Sequence, residues 1–259
     1  MKKMNKIIAA VMALVLVFAL AACSKESGSA SSDASFSTVN SGKLTMATSP
    51  DFPPYENTDD SGSVVGIEIE IMEKIAEKLG LELQIDTMDF DSALVAVENG
   101  KTDMAVSGIT VTDKRKLTMN FTDSYTTAVQ VIVVPEGSDV TLDNLGEKLI
   151  GTQRGTTGFL YTTDDYGEDH VIGYDTYTTV VQALLNGQID CIVMDDSVAK
   201  AYVAQNPGLT ILDTEYAVED YAFAVYKEND ALTDAVNKAL GELIDDGTVQ
   251  GIIDKWISD

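Results

Sequence analysis

The apolar positions of the chain alternate between the spacing of a strand and the spacing of an amphipathic helix. Leu44 to Thr48 predicts a short buried strand, and Leu81 to Thr87 alternates apolar and polar side chains with a period of two. Between them, Ile71 and Ile75 lie on one helical face, and Gly80 predicts the end of that helix. Strands and helices continue to alternate, which indicates the α/β class.

One pattern occurs twice, in residues 93–108 and 180–195. In each copy an apolar helical segment ends at Asn-Gly, two residues and an Asp follow, and a short apolar run ends at a polar residue. Two copies predict two lobes of similar build. Because ligands of open α/β sheets bind outside the carboxyl ends of strands, the ends at Ser107-Gly108 and Asp195 predict a cleft between the lobes.

Two extended runs predict where the chain passes between the lobes. We expect it to enter the second lobe near Val131 and to return near Ala222, so that two crossing strands form a hinge. From Asp230 the apolar spacing is helical, and Gly247 and Gly251 predict breaks before the end. The predicted lobes are residues 43–131 with 222–259, and residues 132–221.

The first residues have the pattern of an export signal rather than of a folded element. Lysines precede an unbroken apolar run that ends at Ala22, which predicts a signal peptide over residues 1–22. Residues 20–23, Leu-Ala-Ala-Cys, resemble the lipobox of bacterial lipoproteins, and this resemblance implies that Cys23 is acylated. A chance Cys at the end of the signal is the alternative. The Ser-rich residues 23–42 predict a lipid anchor with a flexible tether, so we expect a lipid-anchored protein on the extracytoplasmic face of the cell membrane.

Composition excludes several classes of partner and chemistry. Removing the three lysines of the signal from the 17 basic residues leaves 14 against 42 acidic residues, a charge of about −28. Such a surface repels nucleic acid and anionic lipid. Apart from Cys23 the chain has one cysteine, Cys191, and its one histidine is His170, so a disulfide, a zinc site and a Ser-His-Asp triad are hard to build. We expect no cofactor and no metal.

The most polar strand end suits a carboxylate. Ser107 and Thr110 offer hydroxyl groups, Gly108 allows close approach to its backbone N–H, and the planar fork of Arg115 matches a carboxylate with two parallel hydrogen bonds. An ordinary solvated helix start, with Thr112 as its N-cap, is the alternative reading of the same residues.

Three further features extend this candidate site. Thr156 and Thr157 lie in a turn that opens a helix, where backbone N–H groups can meet an anion, although a plain helix cap is the commoner role. Asp195 supplies a carboxylate that suits an ammonium group. Phe52 and Phe90 could enclose a ligand side chain or could cover the core. Together these groups suit a zwitterion such as an α-amino acid.

From Lys43 onward the sequence resembles the family 3 extracellular solute-binding proteins of amino-acid ABC importers. The matching motifs, in chain order, are Phe52-x-Pro-Tyr55, Gly66-Ile-Glu-Ile-Glu70, Phe90-Asp-x-x-Leu94, Asn99-Gly-x-x-Asp103, Ser107-Gly-Ile-Thr-Val-Thr-Asp-Lys-Arg115, Phe121-Thr-Asp-Ser-Tyr125, Gly155-Thr-Thr-Gly158 and Tyr221-x-Phe-Ala-Val225. The resemblance implies a two-lobed periplasmic-binding-protein type II fold, with the lobes joined by two crossing strands.

The resemblance also implies roles for individual residues. For the ligand carboxylate it implies Arg115, Thr110, Thr156 and Thr157. It implies that Asp195, together with Ser107 and Gly108, binds the amino group. It also implies that Phe52 and Phe90 flank the ligand side chain. Two departures matter: Glu68 and Glu70 replace the usual Asp, and Ser49 stands where relatives specific for basic amino acids often carry Asp. With Gln153 and Arg154 at the side-chain end, we expect a polar or neutral amino acid.

The function that this resemblance implies is capture of one amino acid by hinge closure and delivery to the membrane subunits of an ABC permease by a monomer. An enzyme resembling cyclohexadienyl dehydratases on the same scaffold is the alternative. It would need a general acid such as Glu68, Asp51 or Asp195, and no pair of carboxylates stands out for that role. A receptor sensor or a murein-cleaving relative would need a further domain.

Overall fold

The computed structural model describes residues 36–257 of the chain. The predicted signal of residues 1–22 and the predicted lipidation of Cys23 lie outside the described residues, as does most of the predicted tether. Within the described range, no helix is both long enough and apolar enough to span a membrane.

The last part of the predicted tether, residues 36–42, contacts the folded unit, which corrects the prediction of a free linker there. The Val39 N–H donates to Asp103 Oδ1 over 2.7 Å, and Asn229 Nδ2 donates to the Ser37 carbonyl oxygen over 2.8 Å. Phe36 packs on the hydrophobic core. These partners lie far away in sequence, so the composition of the segment does not reveal them.

Strands and helices alternate as the sequence pattern predicts. The strands are Lys43–Thr48 (β1), Asp51–Phe52 (β2), Glu56–Thr58 (β3), Val64–Val65 (β4), Glu82–Thr87 (β5), Met104–Ala105 (β6), Met119–Phe121 (β7), Thr126–Pro135 (β8), Ile150–Gln153 (β9), Val171–Tyr174 (β10), Cys191–Asp195 (β11), Leu209–Ile211 (β12), Ala217–Tyr221 (β13) and Ala224–Tyr226 (β14). The helices are Ile67–Leu79 (α1), Phe90–Glu98 (α2), Asp113–Lys116 (α3), Thr157–Tyr166 (α4), Tyr177–Leu185 (α5), Asp196–Gln205 (α6), Asp230–Asp245 (α7) and Thr248–Trp256 (α8), with short 3₁₀ turns at Leu142–Glu147 and Glu168–His170.

Two mixed sheets define two lobes. The sheet of the first lobe has the order β5-β1-β6-β14-β7, and the sheet of the second lobe has the order β10-β9-β11-β8-β12, with β13 also paired to β8. In each sheet the first three strands are parallel, and the fourth is antiparallel to the third. A small sheet, β2-β3-β4, follows β1.

The repeated sequence pattern builds the same unit in both lobes. Asn99 and Asn186 are the C-caps of α2 and α5, and the next residues, Gly100 and Gly187, have φ of 62° and 66°. Glycine suits this left-handed position because it has no Cβ to clash. The strand that follows each turn, β6 or β11, is the third strand of its sheet and brings a polar end to the same edge.

The passages between the sheets lie partly elsewhere than predicted. All of β8 belongs to the second sheet, so the first passage lies between Phe121 and Thr126 rather than near Val131. The strand extends this far toward the amino terminus because β13 pairs with it down to Thr126. The second passage, between Tyr221 and Ala224, agrees with the predicted return near residue 222. The two passages are hydrogen-bonded to each other, with the Tyr125 N–H donating to the Tyr221 carbonyl oxygen over 3.1 Å.

The carboxyl-terminal helices pack against α1 of the first lobe. Gly247 ends the preceding helical stretch with φ of 81°, as predicted, but Gly251 lies inside α8 and does not break it. Burial of Val249 and Ile252 on the apolar face of α8 outweighs the modest helix propensity of one glycine.

Candidate functional site

A cavity lies between the carboxyl ends of the parallel strands of the two sheets, where the repeat predicts a cleft. It is lined by Phe52, Phe90, Ser107, Gly108, Thr110, Arg115, Gln130, Gln153, Thr156, Thr157, Tyr177 and Tyr221. Nine of the eleven residues predicted to bind ligand are in this set; Ser49 and Asp195 are not. A concave site that combines aromatic faces with few, convergent polar groups is typical of small-molecule binding.

Arg115 is the cationic group of this cavity, and it connects the two lobes. Its side chain is 7% exposed. Nη1 donates to the Thr110 carbonyl oxygen over 2.8 Å, and Nη2 donates to the Gly155 carbonyl oxygen over 3.0 Å. The guanidinium carbon lies 5.5 Å from the centre of the Phe90 ring. These two bonds use two of the five N–H groups of a guanidinium, which leaves donors for an anion in the cavity.

The alternative reading of this segment is also partly correct. Asp113, Lys114 and Lys116 form an exposed single-turn helix, and the Thr112 hydroxyl accepts from the Arg115 N–H as the N-cap. The cap holds the helix backbone, while the Arg115 side chain turns inward to the cavity. A helix start and a carboxylate-binding site thus share the same residues.

A buried carboxylate that sequence reasoning missed lies beside Arg115. Glu219 of β13 is 5% exposed, and its Oε2 accepts from Thr110 Oγ1 over 2.9 Å and from Gln130 Nε2 over 3.1 Å. Its other oxygen has no hydrogen-bond partner within the described residues. Because Glu219 lies between the exposed residues Val218 and Asp220, only the pairing of β13 with β8 shows that it is buried.

The threonine turn of the second lobe caps a helix, as the commoner role predicts, and lines the cavity; its role toward an anion stays a prediction. Thr156 is the N-cap of α4: its hydroxyl accepts from the Phe159 N–H over 3.2 Å and donates to the Gln153 carbonyl oxygen over 2.8 Å. Thr157 is buried at the start of the helix, and its Oγ1 lies 3.3 Å from Thr110 Oγ1 across the cleft. The first threonine therefore shapes the turn, and the second contacts the opposite lobe.

Aromatic rings form the remaining walls. Phe52 lies 5.7 Å from Tyr177 and 6.4 Å from Tyr221, measured between ring centres, while Phe90 lies on the Arg115 side. The two tyrosines were not predicted as site residues. Tyr221 belongs to a motif that the sequence analysis did identify, whereas Tyr177 enters the cavity because α5 begins beside the end of β9.

Asp195, the predicted partner of the ammonium group, is not among the residues that line the cavity. It is fully buried as the N-cap of α6, with Oδ1 accepting from the Val198 N–H over 2.9 Å. Its Oδ2 accepts from the Tyr221 hydroxyl over 3.3 Å, so the tyrosine lies between it and the cavity. Burial raises the pKa of Asp195 to about 7. Its role toward an ammonium group stays a prediction.

The raised pKa of Asp195 predicts a pH dependence of folding. A carboxyl group whose pKa is about 7 in the folded state and 3.8 in the unfolded state binds more protons when folded. Its contribution to stability is therefore complete below about pH 4 and is lost as the pH rises through about 7. Asp195→Asn keeps an oxygen to cap α6 but does not titrate. Its free energy of unfolding, relative to that of the ligand-free wild type, should therefore be about 2–4 kcal/mol higher at pH 8 than at pH 4. Urea unfolding at both pH values measures this difference; Asp196→Asn is the control, and equal changes for both variants would contradict the assignment.

At the end of the cavity away from Arg115, an acid lies behind the wall. Gln153 lines the cavity, and its Nε2 donates to Ser49 Oγ over 3.3 Å and to Asp51 Oδ1 over 3.4 Å. Asp51 Oδ2 accepts from the Tyr177 N–H of the other lobe over 2.6 Å. Burial raises the pKa of Asp51 although these bonds oppose that change. Ser49 thus belongs to this hydrogen-bonded cluster behind the wall and does not line the cavity.

Gly108 differs from the prediction in one respect. Its N–H donates to Glu68 Oε2 over 3.0 Å and so does not point at a ligand. Its φ is 54°, and a Cβ at this position would lie 2.5 Å from Phe52 Cε1. Glycine is therefore needed here for the close approach of the Phe52 ring.

Comparison with known proteins agrees with this geometry. The model of the family described as bacterial extracellular solute-binding proteins, family 3, matches residues 44–259. The arginine-binding extracellular protein ArtP of Bacillus subtilis (strain 168) is 30% identical over 266 residues, covering 98% of this chain and 99% of ArtP. The L-cystine-binding protein TcyJ of Escherichia coli (strain K12) is 29% identical, covering 83% and 82%. An ancestral arginine-binding protein bound to glutamine has a similar structure, with a TM-score of 0.80 and 37% identity over 84% of this chain and 99% of that chain.

Proposed function

Because this chain belongs to the bacterial extracellular solute-binding proteins of family 3, we propose that its cavity captures a basic amino acid, with L-arginine the first candidate. The coarser function is that of its relatives, which are amino-acid-binding proteins of ABC transport and not enzymes. The dehydratase alternative is therefore set aside. The question that remains is which class of amino acid binds. The charges around the cavity are the main argument for a basic one.

The observation that carries amino-acid binding is the position of Arg115. A buried guanidinium with N–H donors left over, beside the hydroxyl group of Thr157, forms an anion site inside the cleft. Charge-assisted, two-pronged hydrogen bonds to a carboxylate are the strongest interaction that such a site offers. The α-carboxylate of an amino acid satisfies it.

The balance of charge supports a basic side chain. Three buried or largely buried acids, Asp51, Asp195 and Glu219, lie at or directly behind the cavity wall, against the one guanidinium of Arg115. Burial raises the pKa of Asp51 and of Asp195, and a cation beside either carboxylate would favour its charged form. A neutral amino acid brings one positive group, whereas arginine brings two.

The expectation of a polar or neutral ligand, drawn from Ser49, is not confirmed by the relatives, which include arginine-binding ArtP. The structure offers a reason for this. Asp51 lies next to Ser49, with Ser49 Oγ donating to Asp51 Oδ1 over 3.0 Å, so an acid is present at this end of the cavity from a different position in the sequence.

A neutral polar amino acid is the second candidate. The amide of Gln153 forms part of the same end of the cavity, and the ancestral arginine-binding protein of similar structure holds glutamine. Discriminating the two candidates requires a direct comparison of ligands on the same sample.

A panel of ligands tests the proposal. With saturating L-arginine, at about one hundred times the Kd, we expect about 2.7 kcal/mol of added stability. For a folded unit of this size that corresponds to a rise in Tm of about 5–11 °C. Differential scanning fluorimetry should compare L-arginine, L-lysine, L-histidine, L-cystine, L-glutamine and L-glutamate. Agmatine, which is arginine without its carboxylate, is the matched control and should give little shift. A larger shift with L-glutamine would favour the second candidate, and no shift with any member would contradict amino-acid binding.

The contacts across the cleft support capture by closure of the two lobes. Arg115 of the first lobe bonds to Gly155 of the second, and Asp51 of the first bonds to the Tyr177 N–H of the second. We take the hydrogen-bonded passages at residues 121–126 and 221–224 as the hinge about which this closure occurs. The closed form would then dock as a monomer on an ABC permease.

The amino terminus supports attachment to the membrane. The export signal and the lipobox-like residues before Cys23 are the basis for proposing acylation of that cysteine and a location on the extracytoplasmic face of the cell membrane. The mass of the mature amino-terminal peptide tests this proposal.

A further inference from the structure

Two carboxyl groups are buried behind the cavity wall, and the binding function proposed above does not use them directly. Glu56 lies in β3 and Glu68 in the first turn of α1, and both are 0% exposed. The Glu68 N–H donates to the Tyr55 carbonyl oxygen over 3.0 Å, and the two carboxyl groups accept from the adjacent residues Ser107 and Gly108, so they lie side by side. Because two adjacent buried carboxylates repel and are poorly solvated, such a pair retains one proton.

The donors around Glu68 identify it as the charged member. Its Oε1 accepts from the Tyr125 hydroxyl over 2.7 Å, and its Oε2 accepts from the Gly108 N–H over 3.0 Å. Its place in the first turn of α1 also favours a negative charge, because the amino-terminal end of a helix is partially positive.

The donors around Glu56 identify it as the protonated member. Its Oε1 accepts from the Ser107 hydroxyl over 2.8 Å. That hydroxyl in turn accepts from the Ser49 N–H over 3.1 Å, so its single hydrogen is directed at Glu56. Glu56 Oε2 meets no donor within residues 36–257, which is the environment of an oxygen that carries the proton itself. Burial and the neighbouring charge of Glu68 raise the pKa of Glu56 well above its usual value.

The pair contacts the wall of the cavity at adjacent residues. Ser107 bonds to Glu56 and Gly108 bonds to Glu68, and both Ser107 and Gly108 line the cavity. On the cavity side, the Phe52 ring occupies the space that a side chain at Gly108 would need. The segment is therefore held between the aromatic wall in front and the carboxyl pair behind.

We propose that Glu56 carries a proton and donates it to the Glu68 carboxylate. We further propose that this acid–carboxylate pair positions the Ser107–Gly108 segment for ligand binding. The other titratable groups that face the pair are Asp51, Tyr55 and Tyr125. Asp51 adds a further negative charge near Glu56, which strengthens the retention of the proton.

Two isosteric substitutions with opposite expectations test this. Gln at position 56 reproduces the donor of a protonated acid, so Glu56→Gln should keep L-arginine affinity within about threefold of wild type. Glu68→Gln removes the charge and places an amide N–H against a donor, so affinity should fall about tenfold or more. Glu73→Gln, exposed on the same helix, is the control and should not change affinity. Isothermal titration calorimetry measures all three.

Infrared spectroscopy tests the proton without any ligand. At about pH 8, where exposed carboxyl groups are ionised, the difference spectrum of wild type minus Glu56→Gln should contain the C=O band of a protonated carboxylic acid, whatever the other buried acids contribute, and the difference spectrum of wild type minus Glu73→Gln should not. Absence of the band from the first difference spectrum, or equal losses of affinity in both pair variants, would overturn the proposal. If Glu68→Gln does not fold, the spectrum and the affinity of Glu56→Gln still decide. Only the affinity measurement rests on the proposed function. If wild type does not bind L-arginine, that function is contradicted, but the infrared result still tests the proton on Glu56.

Discussion

Replacing Arg115 by Ala should reduce the affinity for L-arginine by at least about one hundredfold. The substitution removes two charge-assisted hydrogen bonds to the ligand carboxylate, each contributing about 1.5–3 kcal/mol, and every 1.4 kcal/mol corresponds to about a factor of ten in Kd. It also removes the bonds to the Thr110 and Gly155 carbonyl groups, so closure of the lobes loses one of its contacts. Isothermal titration calorimetry measures the change.

Two further variants separate the role of the guanidinium from that of charge. Arg115→Lys keeps a cation but cannot offer two parallel donors, so we expect a loss of about tenfold or more. Arg154→Ala is the matched control, because Arg154 lies at the end of β9, is more exposed, and bonds to Asp175 and to the Gly173 carbonyl oxygen. Its removal should change affinity less than about threefold. Unchanged affinity of Arg115→Ala would refute the carboxylate site.

Replacing Asp51 by Asn should change the selectivity of the cavity. The amide keeps an oxygen that can accept from the Tyr177 N–H, so the contact between the lobes is preserved while the negative charge is lost. If this charge compensates a basic side chain, affinity for L-arginine should fall about tenfold more than affinity for L-glutamine, since a partly buried charge pair is worth roughly 1.4 kcal/mol or more. Competition between the two ligands on one sample measures the ratio directly.

The outcome also distinguishes two roles of Asp51. If it acts solely as a contact that closes the lobes, both ligands should weaken by the same factor, and selectivity should not change. Asp60→Asn is the control, because Asp60 is exposed in the turn after β3 and its substitution removes the same charge from the same lobe. Equal weakening by Asp51→Asn for both ligands would contradict the proposal of a basic ligand.

Much of the site could be predicted because its residues follow strands in a repeated pattern. The period of the apolar positions identifies the helices and strands, and the Asn-Gly turns mark the start of β6 and β11. Since parallel strands of one sheet end at the same edge, polar residues after these strands must lie near one another. Thr110 and Arg115 were found in this way, and the resemblance to a family added the expected role of each.

The residues that were missed or misplaced are those whose side-chain direction depends on a distant partner. Asp195 caps its own helix locally through the Val198 N–H, but it also accepts from the Tyr221 hydroxyl, 26 residues away in the chain. Glu219 is buried because β13 pairs with β8. Tyr177 reaches the cavity through the placement of α5 against the second sheet. A short-range pattern cannot contain such information, because each of these positions is set by hydrogen bonds or packing across tens of residues.

The amino-acid sequence by itself thus determined the α/β class, the duplicated unit of helix, glycine turn and strand, and the presence of one guanidinium among hydroxyl groups at a strand end. These follow from local periodicity and from residue chemistry. Only the tertiary structure decided which acids surround the cavity, that Asp51 bonds to the Ser at position 49, and that Glu56 and Glu68 meet behind the Ser107–Gly108 segment. The reason is that burial and pairing of charges depend on which chain segments pack together, and the ionisation of an acid depends on that environment more than on its neighbours in sequence.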